Sequence, residues 1–284
     1  MTSRSSSLQA SLASSLFLLL SLVSLSQPAR AQGVGIAVVN AASFQAQFPV
    51  APGSLVSGFA VDPNTQAAQI FAGAPAGENA PPNIFPLPTA IGGVQVLVNN
   101  VAAPLLFVRA GALGANPVQG QVNFQIPGAT PEGKQAVSVL VNGTEVASGF
   151  VNVFEVGPGL FFDGADPVLP GIVQNFPGFA LNGPSSPTTR GGVVIAYGTG
   201  QGPLDVPVAD GNNPGATPAR PTLAVACFIG VEEVTPDTIM QPEFVSLWQL
   251  NVPIPQAPSV SGRMPFFCTV GGISTNVVSI WVAE

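Results

Sequence analysis

The chain has 284 residues, of which only 7 are Lys or Arg and 14 are Asp or Glu, and it contains no His. The acidic balance argues against nucleic acid and anionic membrane surfaces as partners, since both need clustered Lys and Arg, and the lack of His removes Ser-His-Asp and Cys-His nucleophiles and most transition-metal sites. Gly (32) and Pro (30) interrupt every apolar segment, which disfavours helix, where they cost about 1 and about 3 kcal/mol per residue.

Residues 1–31 read as an export signal. Arg4 gives a positive start, "LFLLLSLVSL" (16–25) is the apolar run, and "QPARAQ" places small residues at Ala29 and Ala31, so cleavage is expected after Ala31. The run is too short to span a bilayer, which takes about 20 apolar residues. No membrane insertion is therefore expected after cleavage, and loss of Arg4 and Arg30 takes the 7 basic groups to 5 against 14 acidic ones. Export makes a disulfide between Cys227 and Cys268 the default. Two free buried thiols are the alternative.

Residues 32–157 read as a first unit of short strands. "PGSLVSGFAVDP" (52–63) leads into a Pro- and Asn-rich stretch, 62–89, expected to be an extended surface loop. "GGVQVLVNNVAAPLLFV" (92–108) follows, with a turn near Asn99-Asn100. In "QVNFQIP" (121–127), Val122, Phe124 and Ile126 share one parity and Gln121, Asn123 and Gln125 the other, the period of a strand with one face on a core. Pro127 ends it. "AVSVLVNGTEVASGFVNVFEV" (136–156) reads as a hairpin, with Asn142-Gly143 suited to a type I′ turn. Asn142-Gly143-Thr144 also fits a glycosylation sequon, although the turn accounts for it. Gly and Pro in 158–171 predict a short, semi-stiff linker, with Leu160, Phe161 and Phe162 tucked against one or both units.

Residues 172–284 repeat the first unit in the same order. "RGGVVIAYGTGQGP" (190–203) echoes 52–63, "TLAVACFIGVEEVTPDTIM" (222–240) echoes 92–108 with a turn near Ile229-Gly230, "QLNVPIP" (249–255) echoes 121–127, and "MPFFCTVGGISTNVVSIWVAE" (264–284) echoes 136–156 with Gly271-Gly272 at its turn. This predicts an all-β chain of two tandem immunoglobulin-like antiparallel sandwiches, each with its own core. The alignment matches Cys227 with Leu97 and Cys268 with Val139. The bridge would then tie two central strands of the second copy, where the first uses apolar packing.

Candidate chemistry is sparse. "GTGQG" (198–202) is superficially a phosphate loop, but Pro203 follows at once and no helix does, so turn glycine is the reading. Asp205 and Asp210, around "DVPVADGNN", are weak calcium candidates that lack the spaced pattern of a calcium loop. Asp163 and Asp166 are a second such pair, and no transition metal or other cofactor is expected. Glu232 and Glu233, adjacent in a strand, would face opposite ways. Trp248 shares parity with Leu250 and is expected in the core. Trp281 and Tyr197 are weak candidates for contact with a sugar.

"VVNAASF", "PVAPGSLVSGF", "PLPTAIGGVQVLVN", "APLLFV", "QVNFQIP" and "RGGVVIAYGTGQGPLD" together resemble the acidobacterial (Solibacter-type) secreted C-terminal domain family of unknown function, related in style to IPT/TIG immunoglobulin-like domains. The resemblance covers almost the whole exported chain. It departs at Glu232-Glu233, where the family tends to be apolar, and at Asn99-Asn100-Val101, where a Gly-containing turn is usual. It implies tandem immunoglobulin-like domains and brings no catalytic residues. The expectation is thus an exported, non-enzymatic interaction or structural module of the cell envelope or extracellular space, with a protein or cell-surface glycan as partner. A carbohydrate-binding module is the alternative, and a hydrolase using Asp205 or Asp210 ranks last.

Overall fold

The computed structural model describes residues 33–45, 48–164, 166 and 168–283; the export signal read at 1–31 lies outside the described residues. Among the described residues every regular element is a strand. The first half carries β1 (Val34–Asn40), β2 (Leu55–Val61), β3 (Glu78–Asn79), β4 (Val94–Val98), β5 (Val101–Ala102), β6 (Leu105–Arg109), β7 (Gln121–Gln125), β8 (Gly133–Val141) and β9 (Thr144–Val153). The second carries β10 (Gly159–Leu160), β11 (Val173–Phe176), β12 (Ala180–Leu181), β13 (Val193–Thr199), β14 (Val225–Ile229), β15 (Glu232–Val234), β16 (Asp237–Met240), β17 (Trp248–Pro253), β18 (Gly262–Val270), β19 (Ile273–Ser274) and β20 (Val278–Val282).

In the first half one path of hydrogen bonds runs β3-β6-β7-β2-β1-β9-β8-β4-β5. β1 pairs antiparallel with β2 and parallel with β9, so it carries the path from one layer to the other. In the second half the layers are separate sheets, β12-β11-β13-β17-β16 and β15-β14-β18-β19, with β10 on β13 and β20 on β18. Alternation places each core. Val94, Val96 and Val98 of β4 and Val137, Val139 and Val141 of β8 point inward onto Val122, Phe124 and Ile126. A second cluster gathers Leu250, Val252 and Ile254 with Phe266, Val270 and Ile280. The architecture is two immunoglobulin-like β-sandwiches.

The hairpin turns follow backbone chemistry. Asn99 and Asn100 (φ 48° and 64°), Asn142 and Gly143 (50° and 79°), and Gly271 and Gly272 (55° and 86°) each supply the two positive φ values of a type I′ turn. Between β14 and β15 only Gly230 is positive (64°), so the turn there is Gly230-Val231 and Val231 stands 86% exposed.

The match of Cys227 with Leu97 is off by one residue. Cys227 lies directly opposite Cys268 on β14 and β18 and is bonded to it, whereas Val139, the counterpart of Cys268, lies opposite Val96. A slip of one position in a strand exchanges the two faces: Val96 is buried like Cys227, while Leu97 faces outward.

Stretch 62–89 is exposed over most of its length, yet it sends Phe71 into the core with no exposed surface. Its backbone is pinned by Phe71 N–H to Ala110 O (2.9 Å) and Gln69 N–H to Ala60 O (3.0 Å). Phe71 sits against Gly120, where a Cβ would come within 2.8 Å of its Cδ2. The repeat puts Trp248 at the position of Gly120, and Trp248 is likewise fully buried, as its parity predicts. One half fills this part of its core from a strand and the other from a loop.

Residues 158–171 are anchored to the second sandwich. β10 pairs with β13, Leu160 is buried, and Phe162 packs against the second core. Asn276 takes the Leu160 N–H on Oδ1 (2.8 Å) and donates Nδ2 to the Leu160 carbonyl (3.0 Å), a side chain standing in for a ladder partner.

Candidate functional site

The two sandwiches meet along a seam of hydrogen bonds between residues far apart in sequence. At its centre is Gln125, the last residue of β7, which is 4% exposed. Its Nε2 donates to Ser246 Oγ (2.7 Å), and its Oε1 accepts the Gly211 N–H (2.6 Å). Thr199 Oγ1 accepts the Leu55 N–H (2.9 Å) and donates to the Ser246 carbonyl (3.0 Å). Asn40 donates Nδ2 to the Gly157 carbonyl (2.7 Å), and Gly157 N–H reaches Gly200 O (3.0 Å). Leu87 N–H reaches Gly211 O (2.7 Å), and Asp210 Oδ1 accepts the Gly128 N–H (2.8 Å). Buried polar groups are tolerated only when paired, so this set fixes one docking of the halves. "GTGQG" is the end of β13 followed by an irregular segment in which Gly200 and Gly202 take positive φ (81° and 78°), and it delivers Thr199 and Gln201 to the seam.

A cavity of about 770 Å³ opens on this seam, lined from the first half by Pro52, Gly128–Glu132 and Glu155 and from the second by Gln201–Leu204, Pro207–Asp210 and Met240. Three carboxylates, Glu132, Glu155 and Asp210, stand exposed on it, and no cationic or aromatic side chain lines it. Thr130 (7% exposed) and Gln201 (4% exposed) also line it, and their Oγ1 and Oε1 atoms have no hydrogen-bond partner. A second hollow of about 500 Å³, mostly apolar, lies between 79–87 and 243–247, with Ile84 and Phe244 exposed beside it.

The sequence candidates fall in separate places. Asp210 lies at the seam cavity, while Asp205 Oδ1 accepts the Arg220 N–H (2.7 Å) on a neighbouring loop. No group of three or more acidic, Cys or His residues suited to a metal is present among the described residues. Asp163 and Asp166 stay in the 158–171 stretch, where Asp166 Oδ1 accepts the Val168 N–H. Glu232 is held by Ser259, and Glu233 lies opposite Phe228 and is exposed.

Tyr197 and Trp281 lie on different sheets and do not meet. Tyr197, on β13 opposite Gln249, donates its hydroxyl to Gln174 Oε1 (2.8 Å), and partial burial holds its pKa above the usual phenol value. Around it the repeated Gln-x-Asn motif makes a polar outer face: Gln249 Nε2 donates to Asn251 Oδ1 (2.9 Å), as Gln121 does to Asn123 in the first half.

Trp281, on β20 opposite Arg263, is half-buried on the outer face of the other sheet. Asn182 takes its N–H (2.7 Å) and donates to its carbonyl (2.9 Å), which fixes the backbone from which the indole projects. The same face carries Phe228 and Phe267, directly opposite each other and stacked at 4.8 Å. Trp281 and Phe267 are four residues apart along their ladder, about 13 Å at strand rise. The corresponding positions of the first sandwich hold Leu97, Ser138 and Asn152, so the aromatic row belongs to the second alone.

No family model and no curated protein matches the sequence. Among solved structures the chain is similar to SGBP-B of the Bacteroides ovatus mixed-linkage glucan utilization locus, in complex with a mixed-linkage heptasaccharide (TM-score 0.31, 11% identity, 85% of this chain and 44% of that one). It is also similar to domains 5–6 of the S-layer protein SbsC (0.22, 13%, 88% and 96%) and to the Yersinia pseudotuberculosis adhesin InvE (0.20, 11%, 88% and 60%). The chain spans less than half the length of the first of these proteins. The likeness goes no further than their all-β construction.

Proposed function

We propose that this protein is an exported, non-enzymatic interaction module that presents its surfaces from a rigid pair of sandwiches. The observation that carries the reading is the seam. Gln125, Thr199 and Ser246 commit buried polar groups to holding two sandwiches in one orientation, which a flexible tether would not need. The bridge between Cys227 and Cys268 supports an oxidising destination. Fixed geometry lowers the entropy lost when a partner spans both halves. Pull-down with the tagged protein from the native cell envelope tests this. A partner retained by wild type and lost when the two halves are presented on separate chains supports it; equal capture by a single half overturns it.

A carbohydrate-binding module is the second reading, favoured by the Phe228, Phe267 and Trp281 face. Apolar sugar faces stack on aromatic side chains, and a row about 13 Å long accommodates several sugar rings. Affinity electrophoresis in soluble polysaccharides is the test. Retardation abolished by Trp281→Ala supports this reading, and unretarded migration in every polysaccharide removes it.

A further inference from the structure

The chain contains two Asn-Gly pairs, Asn142-Gly143 and Asn182-Gly183, and the fold treats them oppositely. In such a pair the backbone nitrogen after Asn can attack the side-chain amide, because glycine puts no Cβ in its way. Asn182 is 4% exposed, and its carboxamide is held at both ends. Its Nδ2 donates to Asn175 Oδ1 and to the Trp281 carbonyl (both 2.9 Å), and its Oδ1 accepts the Trp281 N–H (2.7 Å). The Gly183 N–H is engaged as well, by Ser186 O (3.3 Å). Asn142 and Gly143 are instead both exposed, at the tip of the β8–β9 hairpin. The Asn142 backbone is fixed by its N–H, which donates to Gly93 O (2.9 Å). Among the described residues neither the Asn142 carboxamide nor the Gly143 N–H makes a hydrogen bond. A Cβ on Gly143 would meet nothing within 4 Å, so water reaches the turn freely.

We propose that Asn142 is a site of spontaneous deamidation, the member of the two that the fold leaves reactive. The Gly143 nitrogen attacks Asn142 Cγ. The N–Cγ bond forms, the Cγ–Nδ2 bond breaks, and the Gly143 proton leaves with Nδ2 as ammonia. The cyclic imide then takes up one water. Addition at Cγ leaves an aspartate at 142, and addition at the main-chain carbonyl leaves an isoaspartate, with the chain running through Cγ. The turn can host the ring. A type I′ turn has positive φ at both central residues and a type II′ turn only at the first, so turning over the peptide plane between 142 and 143 interconverts them. Asn142 (φ 50°) keeps its sign, and Gly143 (79°) tolerates the change because it has no Cβ. The pair Val141 and Thr144, which closes the hairpin, stays in place. The site lies at the far end of β8 from Gly128–Glu132, so the seam is untouched. The product carries one more negative charge, and the isoaspartate adds a backbone methylene to a tight turn. A glycan on the Asn142-Gly143-Thr144 sequon would use the same Nδ2, so glycosylation and deamidation exclude each other here.

The test is peptide mass mapping of the folded protein after incubation in H₂¹⁸O at neutral and mildly alkaline pH, with the guanidinium-unfolded chain alongside. The peptide holding 142–143 is expected to pass through a species lighter by one ammonia and then to gain one ¹⁸O. Part of the product should be labelled by isoaspartate methyltransferase. The rate should rise with pH, since the attacking nitrogen must lose its proton. In the folded protein Asn182 should react about a hundredfold more slowly, because three hydrogen bonds must open first. In the unfolded chain the two sites should react at similar rates, which assigns the difference to the fold. Gly143→Ala should slow the reaction severalfold, and Thr144→Ala should leave it intact while removing the sequon. Asn142 staying unmodified in the folded protein overturns the inference, whatever the unfolded chain does. Equal modification of Asn142 and Asn182 in the folded protein overturns it too.

Discussion

Replacing Gln125 by Met tests the seam where it is most concentrated. The thioether keeps the length and volume of the side chain but can neither donate to Ser246 Oγ nor accept the Gly211 N–H, now made at 2.7 and 2.6 Å. Ser246 is 5% exposed and Gly211 is buried, so two polar groups lose their partner away from solvent. At about 1–3 kcal/mol for each orphaned group, the expected loss is about 2–6 kcal/mol. Equilibrium unfolding in guanidinium, followed by tryptophan fluorescence, measures it. Trp248 lies in the second core and gives a signal independent of the first. The double variant Gln125→Met with Ser246→Ala should lose about 1 kcal/mol less than the sum of the single ones, since the two side chains bond each other. A single variant within about 0.5 kcal/mol of wild type, or strict additivity, would refute the argument that the seam is held by these bonds.

Phe71→Ala should cost about 3–5 kcal/mol, read by far-ultraviolet circular dichroism because Phe71 lies in the first core, away from the tryptophans, and a fully buried ring leaves a cavity. Gly120→Ala should also destabilise, by about 1–3 kcal/mol, since the new methyl meets Phe71 and the Ala110 carbonyl oxygen at 2.8 Å. Replacing both Cys227 and Cys268 by Ala opens a loop of 41 residues and should lower stability by about 2–4 kcal/mol. Tyr197 is the single tyrosine, so an ultraviolet titration reports it alone, and its midpoint should lie above the ordinary value of about 10. A folded-state pKa raised in this way favours the protonated phenol, so its contribution is whole below pH about 10 and is lost as pH climbs through the folded value.

Much of the fold could be read in the sequence because strand parity is a local signal. Val122, Phe124 and Ile126 announce an inward face by spacing alone, and Asn142-Gly143 announces its turn by the φ values those residues tolerate. The seam left no comparable trace. Gln125 sits on the polar parity of its strand and reads as solvent-facing, and only a second sandwich arriving against it makes it buried. Ser246 and Thr199 lie in turn-like sequence for the same reason. Phe71 is hidden inside a Pro- and Ala-rich stretch without periodicity, although a lone large aromatic in such a stretch is itself a hint of anchoring. The mismatch of Cys227 with Leu97 shows how far register depends on turns: Asn99-Asn100 aligned with Gly230-Val231 gives the right pair, and a one-residue slip gives the wrong face.

Residual dipolar couplings from backbone amides of both sandwiches test the claim of one fixed body most directly. The seam predicts that a single alignment tensor fits the amides of β2, β7 and β8 together with those of β13, β17 and β18. Two tensors of different magnitude or orientation, each fitting one sandwich, would mean that the halves move independently and that the cavity between them has no fixed shape.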